Sequence, residues 1–273
     1  MLPLYTASTL RPPAYHLRYT GSGWPSTGLF PHLPPPSFWE PLQTAWEADG
    51  LRMLERKWSP DLIQFTFSVR PQISPVIFTA RVKGRLQHAL RKAESPTEFS
   101  RKVAFRSIGA NHRAEVENYI QAQVDKEQFV DPRFTELVKQ FTVAVPAVDL
   151  AAPTATNSGR YWYNLHLVLI VQGRYRIADP DFLRTTHDWS FKIATKKGHT
   201  ISRLAVMPDH LHIAMRGNIA HSPEEIALGF LNNLAFALGQ RAHWEPCYYA
   251  GTFGEYDMGA RRKKRAVGCS RSN

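Results

Sequence analysis

The sequence predicts an α+β protein made of two tandem units of one pattern, each an antiparallel sheet with helices packed on one face. Three observations predict it. A shift of 148 residues lays one half of the 273-residue chain on the other, so that Tyr15 falls on Tyr163, Leu17 on Leu165, Gly50 on Gly198, Pro60-Asp61 on Pro208-Asp209, and Ser74-Pro75 on Ser222-Pro223. In both halves strand-like runs alternate with stretches of helical spacing. In both halves, too, a glycine closes the first helix and a Ser-Pro pair opens the second.

The elements follow in order. AYHLRYT and YNLHLVLIV are β-branched, aromatic or alternating, and read as the first strand of each unit. FWEPLQTAWEADG ends on Gly50 and DFLRTTHDWSFKIATKKG on Gly198, where a helix C-terminus favours positive φ. The strands DLIQFTFSV and HLHIAMR come next. SPEEIALGFLNNLAFAL then carries Ser222 as N-cap, Pro223 in the first turn and Glu225 three residues after the serine, a capping box ahead of Ile226, Phe230, Leu234 and Leu238. Beyond it the repeat slips by three, matching SIGANHRAEVENY to TFGEYDMGARRKK through Gly109 and Gly254. A third helix, HRAEVENYIQAQVDKEQF with Val116, Ile120 and Val124 as its apolar stripe, is present only in the first half; the second breaks into RRKKRAVGCSRSN. We place the first unit at residues 1–147, a linker at 148–159, the second unit at 160–260 and a basic tail at 261–273.

Composition narrows the function. The chain carries 34 Lys and Arg against 23 Asp and Glu, a formal charge of +11, which points to a polyanionic partner, nucleic acid ahead of an anionic membrane. Part of that surplus lies in RRKKR, residues 261–265, which also reads as a solvated tail. Cys247 and Cys269 are too few for a disulfide framework or a thiolate zinc site. Neither a bilayer-length apolar run nor a secretory leader is visible, so a cytoplasmic protein is expected.

VMPDHLHIAM contains His210 and His212, one residue apart. In a strand, i and i+2 share a face, so both imidazoles project together while Leu211 and Ile213 point to the core. That geometry suits two ligands of one metal ion, and it suits two ordinary strand histidines equally well. The string MPDHLHIAM, set between a glycine-ended helix and a Ser-Pro capped one, resembles the IS200-like tyrosine transposase family (IS200/IS605 and REP-associated) of the HUH class. YWYNLHLVLIVQGRYRI resembles that family's first strand and basic turn, and WEPCYYAGTFGEYD the approach to its tyrosine helix. The resemblance covers most of residues 160 to 260 and, through the repeat, 14 to 128. It implies two ferredoxin-like or RRM-like units fused into a pseudo-dimer.

The family also places a tyrosine and, four residues on, a glutamine on a helix. Ten residues after Gly254 stands Lys264, whereas ten after Gly109 stands Tyr119, with Gln123 following. Tyr248, Tyr249 and Tyr256 precede the expected position and read as packing or DNA-contact residues. The first half in turn lacks the histidines: Leu62 and Gln64 stand where the second has His210 and His212. Because the family's dimers bring the histidine pair of one subunit to the tyrosine helix of the other, the resemblance implies one composite site, with Tyr119 as nucleophile and His210, His212 and Gln123 as metal ligands. It also implies a dead site at Leu62, Gln64 and Lys264.

The chemistry expected from that set is metal-assisted. Tyrosine is a poor nucleophile at neutral pH because its phenol ionises near pH 10. Two neutral imidazoles with an amide oxygen suit Mg²⁺ or Mn²⁺ rather than a closed zinc site. Asp209 is either an orienting partner for an imidazole or a turn residue, since Asp61 occupies the same place without histidines. The resemblance implies a single-stranded DNA substrate carrying a hairpin. Lys83, Arg85, Arg174 and Arg176, in basic stretches interleaved with aromatics, are the proposed phosphate contacts. Three readings stand: a metal-dependent tyrosine transposase or nickase, a non-catalytic single-strand binder, and a domesticated regulator binding RNA or a hairpin.

Overall fold

The computed structural model describes residues 2–93, 97–127 and 129–254. Lys264, Tyr256, Cys269 and the basic tail lie outside the described residues. Chain order is β1 (Ala14–His16), β2 (Arg18–Gly23), α1 (Pro36–Ala48), β3 (Leu51–Ser59), β4 (Leu62–Val69), α2 (Pro75–Lys92), β5 (Val103–Ile108), α3 (Arg113–Gln121), α4 (Gln123–Lys126), α5 (Pro132–Lys139) and β6 (Thr142–Ala144). There follow β7 (Thr154–Ala155), β8 (Gly159–Trp162), β9 (Asn164–Val171), α6 (Pro180–Lys197), β10 (Thr200–Val206), β11 (His210–Arg216), α7 (Pro223–Ala237) and β12 (Trp244–Thr252).

The strands form two six-stranded sheets, ordered β3-β4-β2-β5-β8-β7 and β1-β12-β9-β11-β10-β6. Within each lies one antiparallel order, β5-β2-β4-β3 in the first and β12-β9-β11-β10 in the second. With its two helical crossovers, that order is a ferredoxin-like βαββαβ unit. Ser74 and Ser222 each accept a hydrogen bond from the backbone N–H three residues on, and Gly198 ends α6 in the left-handed region at φ 72°. A bulge falls between Met53 and Glu55 and again between Ile201 and Arg203, which is the 148-residue offset once more.

The first strand departs from that offset. Gln64 pairs with Ser22 and His212 with Val168, so Ser22 corresponds to Val168 (168 minus 22, an offset of 146). Tyr15 and Leu17 therefore do not match Tyr163 and Leu165. The loop and helix between the first strand and Gly50 or Gly198 together absorb the two residues, and an even slip keeps every side chain on its face, so the alternation alone does not reveal it.

AYHLRYT also divides at Leu17. β1 leaves to pair in parallel with β12 of the second sheet, while β2 stays between β4 and β5. β8, just ahead of β9, likewise leaves to pair in parallel with β5. Each unit thus lends its opening strand to the other's sheet. The link is no free tether either, since Leu150 is buried and β7 pairs with β8.

One face of each sheet is packed by helices. In the first, Trp46 of α1 and Phe78 of α2 meet Phe67, with ring centroids 5.1 and 5.5 Å apart. In the second, Leu211, Ile213, Phe230 and Leu234 are fully buried. Each such side chain contributes roughly 1.5–3 kcal/mol. The third helix is shorter than its stripe predicts: it breaks at Ala122 (φ −86°, ψ 8°) into α3 and α4. α3 crosses to the open face of the second sheet, where Val116 and Ile120 pack with Ala205, Ala214, Leu150 and Phe253 in a second small core. Alanine at two strand positions lets the helix lie close.

The units also meet through a repeated contact. The Ser107 hydroxyl accepts the Asn164 N–H at 2.8 Å, and the Thr252 hydroxyl accepts the Arg18 N–H at 2.9 Å. Gly109 and Gly254 sit beside it, where an added Cβ would meet the Thr252 carbonyl oxygen at 2.1 Å and the Ser107 carbonyl oxygen at 2.6 Å. Only glycine permits that approach. No helix among the described residues is long and apolar enough to cross a membrane.

Candidate active site

The site lies between α3 and the face of the second sheet opposite α6 and α7. β9 presents His166, Val168 and Ile170 there, β11 presents His212 and β12 presents Tyr249, because alternate residues of paired strands share a face. α3 closes the other side. The cleft between them is about 550 Å³ and is lined by Asn111, Tyr119, His166, Arg174, His212 and Tyr249 among others.

The structure brings Tyr119 to the histidines. Its ring, 45% exposed, stands edge-on to His212 with centroids 5.6 Å apart and to His166 at 6.0 Å. The Lys126 ammonium sits 3.9 Å from the centre of the Tyr119 ring, a cation–π contact from α4. Gln123 is buried, and its amide nitrogen donates to the Tyr119 carbonyl oxygen at 2.8 Å. The break at Ala122 replaces the expected single helical face with that contact, and Gln123 is not among the residues lining the cleft.

Asp209 fixes His210: its carboxylate lies 2.6 Å from Nδ1. The His210 and His212 rings are perpendicular, with centroids 4.7 Å apart. His212 Nδ1 is 3.0 Å from Nε2 of His166. Burial pushes His166 down to about 4 and, with His166, His210 and Lys126 adjacent, holds His212 well below the usual imidazole range. His166 and His212 are therefore neutral at pH 7. Among the described residues no group of three His, Cys, Asp or Glu side chains is arranged to hold a metal ion. Nδ1 of His210 is held by Asp209 and Nδ1 of His212 by His166, so Nε2 is the nitrogen by which each imidazole would meet a metal ion, for His212 in the tautomer that carries its proton on Nδ1.

The four basic residues are divided by the fold. Arg174 lines the cleft, held in the left-handed region at φ 52° and 3.8 Å from Asp209. Arg176 pairs with Glu127 at 2.8 Å, tying the chain after α4 to the turn after β9. Lys83 and Arg85 are on α2 and do not line the cleft. Lys83 donates to the Ser100 carbonyl oxygen at 2.7 Å, and burial lowers its pKa; Arg85 pairs with Asp49 at 2.9 Å.

Sequence reasoning does not select His166 or Lys126. The signal for His166 is its polar place in the alternation NLHLVLIV, but only the pairing of β9 with β11 sets it beside His212. The signal for Lys126 is its place seven residues after Tyr119, about two helical turns on.

Residues 160–262 match the family described as "Transposase IS200 like". Among solved structures the chain is similar to a protein assigned as a transposase from Deinococcus radiodurans R1, at 18% identity over 38% of this chain and 85% of that one, with a TM-score of 0.30. It is also similar to the regulatory subunit of aspartate kinase from Thermus thermophilus, at 11% identity over 81% of this chain and 93% of that one, with a TM-score of 0.20. No curated protein matches.

Proposed function

We propose that this chain, whose residues 160–262 carry the IS200-like transposase family match, is a single-chain pseudo-dimer that cleaves and rejoins single-stranded DNA through one composite site. The observation that carries the reading is the meeting of Tyr119, from the first unit, with His212, from the second, across a cleft open to solvent. Tyr119 is the nucleophile. Its hydroxyl oxygen bonds to the scissile phosphorus as the bond to the neighbouring 3′ oxygen breaks. The phenolic proton leaves, the departing oxygen takes up a proton as a 3′-hydroxyl, and a 5′-phosphotyrosine retains the energy of the broken bond.

His210 and His212 would hold Mg²⁺ or Mn²⁺, which when bound supplies Lewis-acid stabilisation of charge on the phosphate; the amide oxygen of Gln123 would join them only by leaving its buried place against the Tyr119 carbonyl. Asp209 orients His210. Arg174, which lines the cleft, and Lys126, which sits over the Tyr119 ring, would supply positive charge for a phosphate backbone beside the nucleophile. Lys83 and Arg85, if they meet DNA, do so on α2, as a contact separate from the cleft. Leu62 cannot ligate a metal, so the first unit's own strand position is inactive in this scheme.

The test is incubation of the protein with 5′-labelled and internally labelled hairpin-bearing single strands and Mn²⁺. A covalent adduct that disappears in Tyr119→Phe and in His210→Ala supports the enzyme. Tight strand binding with no adduct on any hairpin tried replaces it with the non-catalytic binder.

A further inference from the structure

Neutral imidazoles that share a hydrogen bond cannot be equivalent. One nitrogen donates and the other accepts. Between His166 Nε2 and His212 Nδ1, 3.0 Å apart, the proton sits on one side or the other. If His166 donates, His212 carries its proton on Nε2 and has no lone pair there. If His212 donates from Nδ1, its Nε2 is an open ligand and His166 keeps its own proton on Nδ1.

A comparison within the chain bears on the role of this contact. Ser22 corresponds to Val168, so Thr20 corresponds to His166 two residues earlier on the same strand face. Where the second unit has His166, His210 and His212, the first has Thr20, Leu62 and Gln64, and its contacts are of another kind: Thr20 to Thr66 at 3.1 Å and Gln64 to Ser22 at 3.0 Å. All three imidazoles are replaced together, while Asp61 remains where Asp209 stands. A histidine kept merely to fill strand space would not be expected to follow the other two.

We propose that His166 is a positioning residue that accepts the Nδ1 proton of His212 and so keeps His212 Nε2 free to bind a divalent cation. His166 does for His212 what Asp209 does for His210, by a neutral acceptor in place of a carboxylate. The assignment rests on the metal-centred reading above, but the tautomer is a property of the metal-free protein and is measured without it.

The experiment is long-range ¹H–¹⁵N correlation on ¹⁵N-histidine-labelled, metal-free full-length protein, with Mn²⁺ titrations of wild type, His166→Ala and His166→Gln. The expected spectrum shows His212 protonated on Nδ1, with its Nε2 shift that of an unprotonated nitrogen. Mn²⁺ affinity should fall 10- to 100-fold in His166→Ala and recover in large part in His166→Gln, whose amide oxygen still accepts. His212 protonated on Nε2 in the wild type overturns the proposal, whatever the variants do. So does unchanged Mn²⁺ affinity in His166→Ala. A wild type that binds no Mn²⁺ overturns the metal-centred function instead, and the wild-type tautomer then decides whether His166 accepts from His212.

Discussion

Tyr119 and His212 meet edge to face, with ring centroids 5.6 Å apart, although one belongs to α3 of the first unit and the other to a central strand of the second. Neither unit holds the pair. If this juncture is the reactive centre, Tyr119→Phe removes a single oxygen from it. The expected result is a loss of adduct formation of roughly 10³-fold or more, with strand affinity and melting temperature unchanged. Denaturing gels and a thermal melt check this together.

Asp209 grips Nδ1 of His210 at 2.6 Å and lies near Arg174. Asp209→Ala should weaken Mn²⁺ binding about 10- to 100-fold while leaving Tyr119 in place. Calorimetric titration reads the affinity, and a retained Tyr119 environment is seen by NMR.

Ile120 is fully buried between α3 and the histidine face of the second sheet. Ile120→Ala should cost about 2–5 kcal/mol of stability. Because this packing fixes Tyr119, adduct yield should drop even at temperatures where the variant stays folded. Denaturant unfolding alongside an adduct assay separates the two effects.

A methyl group at Gly109 would strike the Thr252 carbonyl oxygen at 2.1 Å, and backbone cannot swing aside as a side chain does. Gly109→Ala is expected to destabilise by about 1–3 kcal/mol or more. A normal melting temperature would contradict the close approach of the two units.

His199 accepts the Asn218 N–H on Nδ1, and burial, with His221 and Lys197 nearby, pushes it down to about 4. Its unfolded value is near 6.5, so the unfolded chain binds more protons between those limits and stability rises with pH there. The contribution is whole above pH 6.5 and is lost progressively as pH falls to about 4, up to about 3 kcal/mol. Melting temperatures from pH 7 to 4 should therefore fall less steeply in His199→Asn than in wild type.

Much of this is legible in the sequence because its causes are local. Gly198 marks a left-handed helix end, Ser222 and Glu225 cap α7, and His210 and His212 alternate with core residues, each a rule acting over a few residues. The hairpin strands β3 and β10 are harder to see; LRMLERKWS in β3 is mostly exposed and carries little apolar alternation. The departure of β1 and β8 to the opposite sheets leaves no local trace: AYH and GRYW pair with strands more than fifty residues away. His166 is hidden for the same reason, its meaning being set by register. The break at Ala122 is hidden because nothing there forbids a helix, and Val124 continues the stripe.

The exchanged strands have a consequence for how the two halves can change over time. Identical subunits in a dimer vary together, so any substitution strikes both copies of a site. Two units that borrow each other's edge strands cannot be parted without baring the flanks of β5 and β12 to mispairing. Held together, they are nevertheless encoded separately and free to specialise. Leu62 can stand in one unit without touching His210 in the other, and a difference between the two units becomes heritable in a single chain.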